Sequence, residues 1–188
     1  MKCIRIGGLI FMIVVLLSGC ITIPIGDGNK MKISKDGITF TDEEGGQHSI
    51  TIDEEEGQVS MKGFGTDGED QVISVGQNLS IPDSFPADIP MPDDAHIFHA
   101  SSLQSVTTIS FETAIDIGKI VDLYETYLNS GILVAELNVM EFQGEGSLNK
   151  VFSGERKDGQ LSIVIEGSIE REYDTTVQIT FSTEQFDE

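Results

Sequence analysis

The sequence predicts an α+β fold: an N-terminal β-meander or hairpin array, then an antiparallel sheet with one packed helix. Three observations lead there. Between residues 30 and 81 apolar and polar residues alternate with period two between acidic, Gly-containing turns, the pattern of half-buried antiparallel strands. Between 113 and 131 an apolar stripe recurs at helical spacing, so one amphipathic helix is expected. Around that stripe lie further alternating runs with no other helical pattern between them, and helix and strands segregated in this way favour an antiparallel sheet.

At the N-terminus, Lys2 and Arg5 precede an uncharged apolar run over 6–17, and the run ends in Leu17-Ser18-Gly19-Cys20. A basic start, a short apolar stretch and small residues describe a secretory signal. This run of twelve residues, broken only by Gly7 and Gly8, falls short of the roughly 20 that span a bilayer. The tetrad resembles a bacterial lipobox. That resemblance implies a signal peptide over 1–19, cleavage before Cys20, and a covalent diacylglycerol lipid on the Cys20 thiol, with fatty acyl chains such as palmitate. It also implies a lipid-anchored protein on the extracytoplasmic face of the cell membrane.

Composition agrees with that setting. The chain of 188 residues carries 11 Lys+Arg against 32 Asp+Glu, a net charge of −21. Such a body excludes nucleic acid as a direct partner, because phosphate binding needs a basic surface. Without Lys2 and Arg5 the charge becomes −23. Anionic lipid repels it, so the anchor holds by acyl burial, at about 0.8 kcal/mol per CH₂. The two cysteines build neither a disulfide framework nor a structural zinc site. With Cys3 removed and Cys20 acylated, no free thiol remains.

Residues 20–29 read as a tether containing Pro24, Gly26 and Gly28. An acidic β-rich segment occupies 30–81, with strands expected at Met31–Ser34, Ile38–Thr41, Ser49–Ile52, Val59–Lys62 and Val72–Val75. Residues 38–45 are echoed by 50–57. One echo makes two strand–turn units, not a solenoid, which needs about three. Four of the five prolines fall in 82–94. They stiffen the chain into a connector and place a domain boundary there, with Phe85 and Ile89 available to pin the connector to the C-terminal domain.

The α+β domain is expected over 95–188. Ala95–Ser101 and Ser105–Phe111 form a hairpin, and Thr113 is the expected helix N-cap, with Asp116 three residues on. Ile117, Ile120, Val121, Tyr124 and Leu128 share one face, with Asp122 and Glu125 off it, and Gly131 ends the helix. Strands are expected at Val134–Phe142, Lys150–Arg156, Leu161–Glu166 and Thr176–Ser182, with Lys157-Asp158-Gly159-Gln160 as a hairpin turn. The run Phe85-Pro86-Ala87-Asp88-Ile89-Pro90-Met91-Pro92 with Asp94-Ala95 resembles the FPxDVPxxPGA motif of a set of uncharacterised bacterial envelope lipoproteins. There a helix with a Tyr-x-x-x-Leu-x-x-x-Gly-Trp pattern comes after it. Tyr124, Leu128 and Gly131 echo that helix, with altered spacing and Ile132 in place of Trp. The resemblance covers about 82–185. It implies an envelope lipoprotein with this sheet fold and brings no activity.

No catalytic residues emerge. Gly-x-Ser-x-Gly is absent from the sequence, and nucleophilic catalysis needs a base-activated hydroxyl. Gly63-Phe64-Gly65-Thr66-Asp67-Gly68 lacks the Lys and the helix of a phosphate loop. His96 and His99, three apart on a regular strand, point to opposite faces, so no metal site is expected from them. The acidic turns offer oxygen ligands for calcium, with Asp67, Glu69 and Asp70 as weak candidates outside any EF-hand pattern. The function expected is a non-enzymatic, lipid-anchored binding or interaction module whose partners are the membrane and a protein or the cell wall. The alternatives are a calcium- or polycation-responsive module using the acidic turns and a wall hydrolase.

Overall fold

The structure, a computed structural model, describes residues 20–26, 28–63, 71–144, 146–168 and 175–183. It corrects the α+β expectation. The described residues form a mostly β protein: one sheet of twelve antiparallel strands carrying one short helix. The strands are β1 (Ile21–Gly26), β2 (Asn29–Ser34), β3 (Gly37–Thr41), β4 (Gln47–Asp53), β5 (Gln58–Lys62) and β6 (Val72–Val75), then β7 (His96–Leu103) and β8 (Val106–Thr113). Helix α1 (Ile117–Tyr127) runs into a π-type turn over Leu128–Ile132, and β9 (Asn138–Gly144), β10 (Ser147–Arg156), β11 (Gly159–Ser168) and β12 (Thr175–Ser182) complete the chain. The order across the sheet is β1-β2-β3-β4-β5-β6-β7-β8-β12-β11-β10-β9. The helix predicted from its stripe is present; what the alternation understated is that both β-rich stretches join one ladder.

That ladder has an unusual distribution of apolar residues. One cross-strand row reads Ile21, Ile33, Ile38, Ile50, Met61, Ile73 over β1–β6 and continues as Ser101, Thr108, Thr180, Ser162, Ser153, Asn138 over the remaining strands. The adjacent row on the other face is reversed. It reads Ser34, Gly37, Thr51, Ser60, Ser74 and then Ala100, Ile109, Ile179, Ile163, Phe152, Val139. Directly opposed residues share a face, so the apolar side of the sheet changes between β6 and β7.

Among the described residues, only the second half is covered. Ile117, Ile120, Val121, Tyr124 and Leu128 of the helical segment are all buried, against Ile109, Phe111, Ile163, Ile165, Val177 and Ile179, each fully enclosed. Residues 76–95 complete this core. They leave β6 and return as its neighbour β7 through three turns closed by Phe85 N–H to Pro82 O, Ile89 N–H to Pro86 O and Ala95 N–H to Pro92 O. Phe85 and Ile89 are buried in the same cluster, and the Tyr124 hydroxyl donates to Pro90 O at 3.0 Å.

Several local expectations change. Residues 21–26, read as tether, form β1 and pair with β2. The helix N-cap is Asp116, whose carboxylate accepts from Gly118 N–H at 2.9 Å. Thr113 instead ends β8, donating to Asp94 at 2.7 Å and accepting from Ile115 N–H. Local capping therefore starts the helix three residues later, because Thr113 is held by the connector. Gly131, at φ +89°, ends the helical segment; only glycine takes this conformation without strain. Strand β9 starts at Asn138 rather than Val134, since Leu133 and Val134 bond to Arg156 and Glu155 of β10 first.

Ile120 is 1% exposed and Asp122 exposed. Ile120→Ala is expected to destabilise the chain by about 2–5 kcal/mol and Asp122→Ala by less than about 0.5 kcal/mol. Denaturant melts monitored by circular dichroism check both. Equal, small shifts would show that the helix does not close this core.

Candidate functional site

Two features stand out for site-building: a charged cluster at the mouth of the core and the uncovered apolar face of β1–β6. The cluster is centred on Arg156, at the end of β10 and 4% exposed. Its guanidinium makes two bidentate pairs. It donates to Asp88 Oδ2 and Oδ1 at 3.0 Å each, and to Asp158 Oδ1 and Oδ2 at 2.9 Å each. Its central carbon lies 5.5 Å from the centre of the Phe181 ring. The Tyr127 hydroxyl donates to Asp88 at 2.8 Å and accepts from Arg156.

This packing sets the electrostatics. Burial pushes the Asp88 carboxyl up, but hydrogen bonds from Arg156 and Tyr127 outweigh it and hold the group below the usual carboxylate range. The hydrogen bonds from Arg156 likewise lower Asp158. Burial, and then the bond to Asp88, push Tyr127 well up. Desolvation opposes charge on Arg156, and its carboxylate partners more than restore it. Every side-chain nitrogen of Arg156 thus has a partner within the chain. The cluster is a clamp that ties the connector (Asp88), the helix end (Tyr127) and the β10–β11 turn (Asp158) together. Lys150 makes a second tie, donating to Glu125 of α1 at 2.7 Å and pairing with Glu141 of β9 at 3.2 Å. Glu125, off the apolar stripe, therefore has a structural role of its own.

The apolar face is different in kind. Every described residue of β1–β6 keeps at least partial exposure. Ile38, Phe40, His48 and Ile50 line an open depression of about 350 Å³ on it. Phe40 and His48 face each other across the β3–β4 ladder, with ring centroids 6.1 Å apart. Within β1–β6 the register places no Lys, Arg, Asp or Glu on this face, and at its edge His48 Nε2 lies 3.8 Å from the Asp42 carboxylate. Lys30, Lys32 and Lys62 belong to the alternate, polar set with Thr41, Thr39 and Ser49.

The residues singled out from sequence are dispersed. Cys20 is exposed and immediately precedes β1. The signal residues 1–19 lie outside the described residues, as do Asp67, Glu69 and Asp70. In the described acidic turns the carboxylates serve the turns themselves. Asp42 accepts from the N–H groups of Glu44 and Gly46, and Asp53 from those of Glu55 and Glu56. His96 and His99 do not point to opposite faces. A bulge at Phe98 sets His96 opposite Glu112 and His99 opposite Ser110. Glu112 and Ser110 are two apart, so both histidines share the face away from the core. The extra bulge residue restores the parity that a regular strand denies. Among the described residues no group of three or more His, Cys, Asp or Glu is placed to hold a metal ion, and no helix is long and apolar enough to cross a membrane.

No protein-family model matches this chain, and no curated protein or solved structure matches it.

The clamp predicts acid sensitivity of a definite sign. Asp88 and Asp158 have folded pKa values below their unfolded ones, so their contribution is present above about pH 4 and is lost as pH falls through the folded values. The melting temperature is expected to fall below about pH 4. Asp88→Asn is expected to cost about 1–3 kcal/mol at pH 7 and to make the acid-side fall shallower. Wild-type stability of Asp88→Asn at pH 7, with an unchanged acid limb, would show the clamp to be idle.

Proposed function

We propose that this chain is a lipid-anchored, extracytoplasmic, non-enzymatic interaction module of a bacterial cell surface. The observation that carries the reading is the sequence Leu17-Ser18-Gly19-Cys20 behind a basic start and an apolar run. The structure is compatible with it at one point. Cys20 is exposed and one residue from the sheet, so acyl chains on its sulfur reach lipid without disturbing the core. A charge of −23 on the body keeps the domain off an anionic bilayer. The anchor therefore presents the sheet outward while the acyl chains hold it.

Binding rather than catalysis is favoured by where the polar groups are spent. The one strongly perturbed cluster among the described residues, around Arg156, is closed on itself. The feature left unused by the fold is the apolar face of β1–β6, and large exposed apolar patches mark interaction sites.

The test is acylation. Cells fed an alkyne-tagged palmitate are expected to label the wild-type chain in the membrane fraction. Cys20→Ala is expected to be unlabelled and either uncleaved or released into the medium. A labelled, normally processed Cys20→Ala protein would refute the anchor.

A further inference from the structure

We propose that the uncovered face of β1–β6 is the surface through which two copies of this chain pair, face to face, into a β-sandwich. An apolar sheet face needs a second layer, and among the described residues none covers these six consecutive strands. Its central row, Ile33, Ile38, Ile50, Met61 and Ile73, holds no charge. The row turns polar at Ser101, which bounds the contact at the β6–β7 junction.

The area suits a second copy. Six strands about 4.8 Å apart and about five residues long give a face of about 29 by 17 Å, or about 500 Å² in plan. Two such faces remove about 1,000 Å² from water, the size a specific interface has to clear. An identical face also meets like with like: an uncharged apolar centre opposes an uncharged apolar centre, so no buried charge is left unpaired.

Symmetry fixes the arrangement. A two-fold axis along the strands lays β1 of one copy over β6 of the other and sends the helix-bearing halves to opposite flanks. Their Ser- and Thr-rich reverse faces stay in water. The same axis keeps both Cys20 residues at one end of the sandwich, so both acyl groups enter one membrane. An axis across the strands puts them at opposite ends. This choice of axis rests on the anchor proposed above; the pairing of faces does not.

The acidic turns oppose pairing. Asp36 and Asp53–Glu56 crown one end of the strands and Asp42–Glu44 the other. Sheets packed about 10 Å apart bring like charges across about one Debye length at 0.1 M salt. Pairing therefore strengthens as salt rises. A cationic partner on the same face would bind more weakly with salt.

The test uses the full chain in a bacterial host, with either Ile50→Cys or Thr51→Cys added to its own Cys3 and Cys20. These neighbours lie on opposite faces of β4. A short bis-maleimide is applied to the envelope fraction, or to the medium if the chain is found there, at low salt and at about 0.15 M. Ile50→Cys is expected to give a band at twice the chain mass, several-fold above the parent chain and stronger at the higher salt. Thr51→Cys is expected to stay at the parent level, and Phe40→Glu to abolish the Ile50→Cys band. Equal linking from both cysteines, none from either, or an Ile50→Cys adduct of another mass would overturn the proposal, the last by showing a different protein on this face. Whether the chain is in pellet or medium reports on the anchor independently.

Discussion

The structure depends on one constraint: along a strand, successive side chains point to opposite faces, and across a ladder the register carries that choice to the neighbour. Twelve strands in one ladder must therefore agree on parity. They agree, but the two halves use the parity oppositely. Ile73 of β6 sits opposite Ser101 of β7, and Ser74 opposite Ala100. Among the described residues, a single helix covers one face of one half, and that half alone has a closed core. The first six strands then draw their stability from the ladder, from cross-strand pairs such as Ser60–Ser74, and from whatever covers their apolar side.

The segment over 76–95 is the second consequence. β6 and β7 are adjacent and antiparallel, and a hairpin of two to five residues normally joins such strands. The chain spends many more. The extra residues pack against the helix and bring Phe85 and Ile89 into the core, while Asp88 reaches Arg156 and Asp94 reaches Thr113 and Ala114. The prolines serve as turn starts, with Pro82, Pro86 and Pro92 each accepting three residues on. A rigid helix–sheet body with its charges paired internally is a suitable mount for a binding surface carried on the other half.

Much of this was legible in the residues. Period-two alternation located strands such as Ile38–Thr41 and Val59–Lys62, Asp158-Gly159 marked a hairpin, and the spacing from Ile117 to Leu128 gave the buried stripe. What was not legible required register. The change of apolar side at β6–β7 depends on pairing Ser74 with Ala100 across the whole connector, which no local pattern encodes. The fold class failed for the same reason: two β-rich stretches separated by prolines read as two units, whereas they share one ladder. The bulge at Phe98 that turned His96 and His99 to one face left no sequence mark. The role of Arg156 was hidden because its partner Asp88 comes from a distant turn. An Arg at a strand end two residues from Asp158 was the only available signal.

Residue-resolved amide hydrogen exchange, made on dilute protein at low salt, distinguishes a single sheet with one covered half from two independent units. One continuous ladder with a core on one half predicts a gradient. Amides of β8, β11, β12 and α1 exchange slowest, those of β1–β5 much faster, and the β6–β7 amides, such as those pairing Ser74 with Ala100, lie between. Uniform slow exchange across all twelve strands, or β6–β7 amides exchanging as freely as an exposed loop, would contradict the single sheet with one covered half.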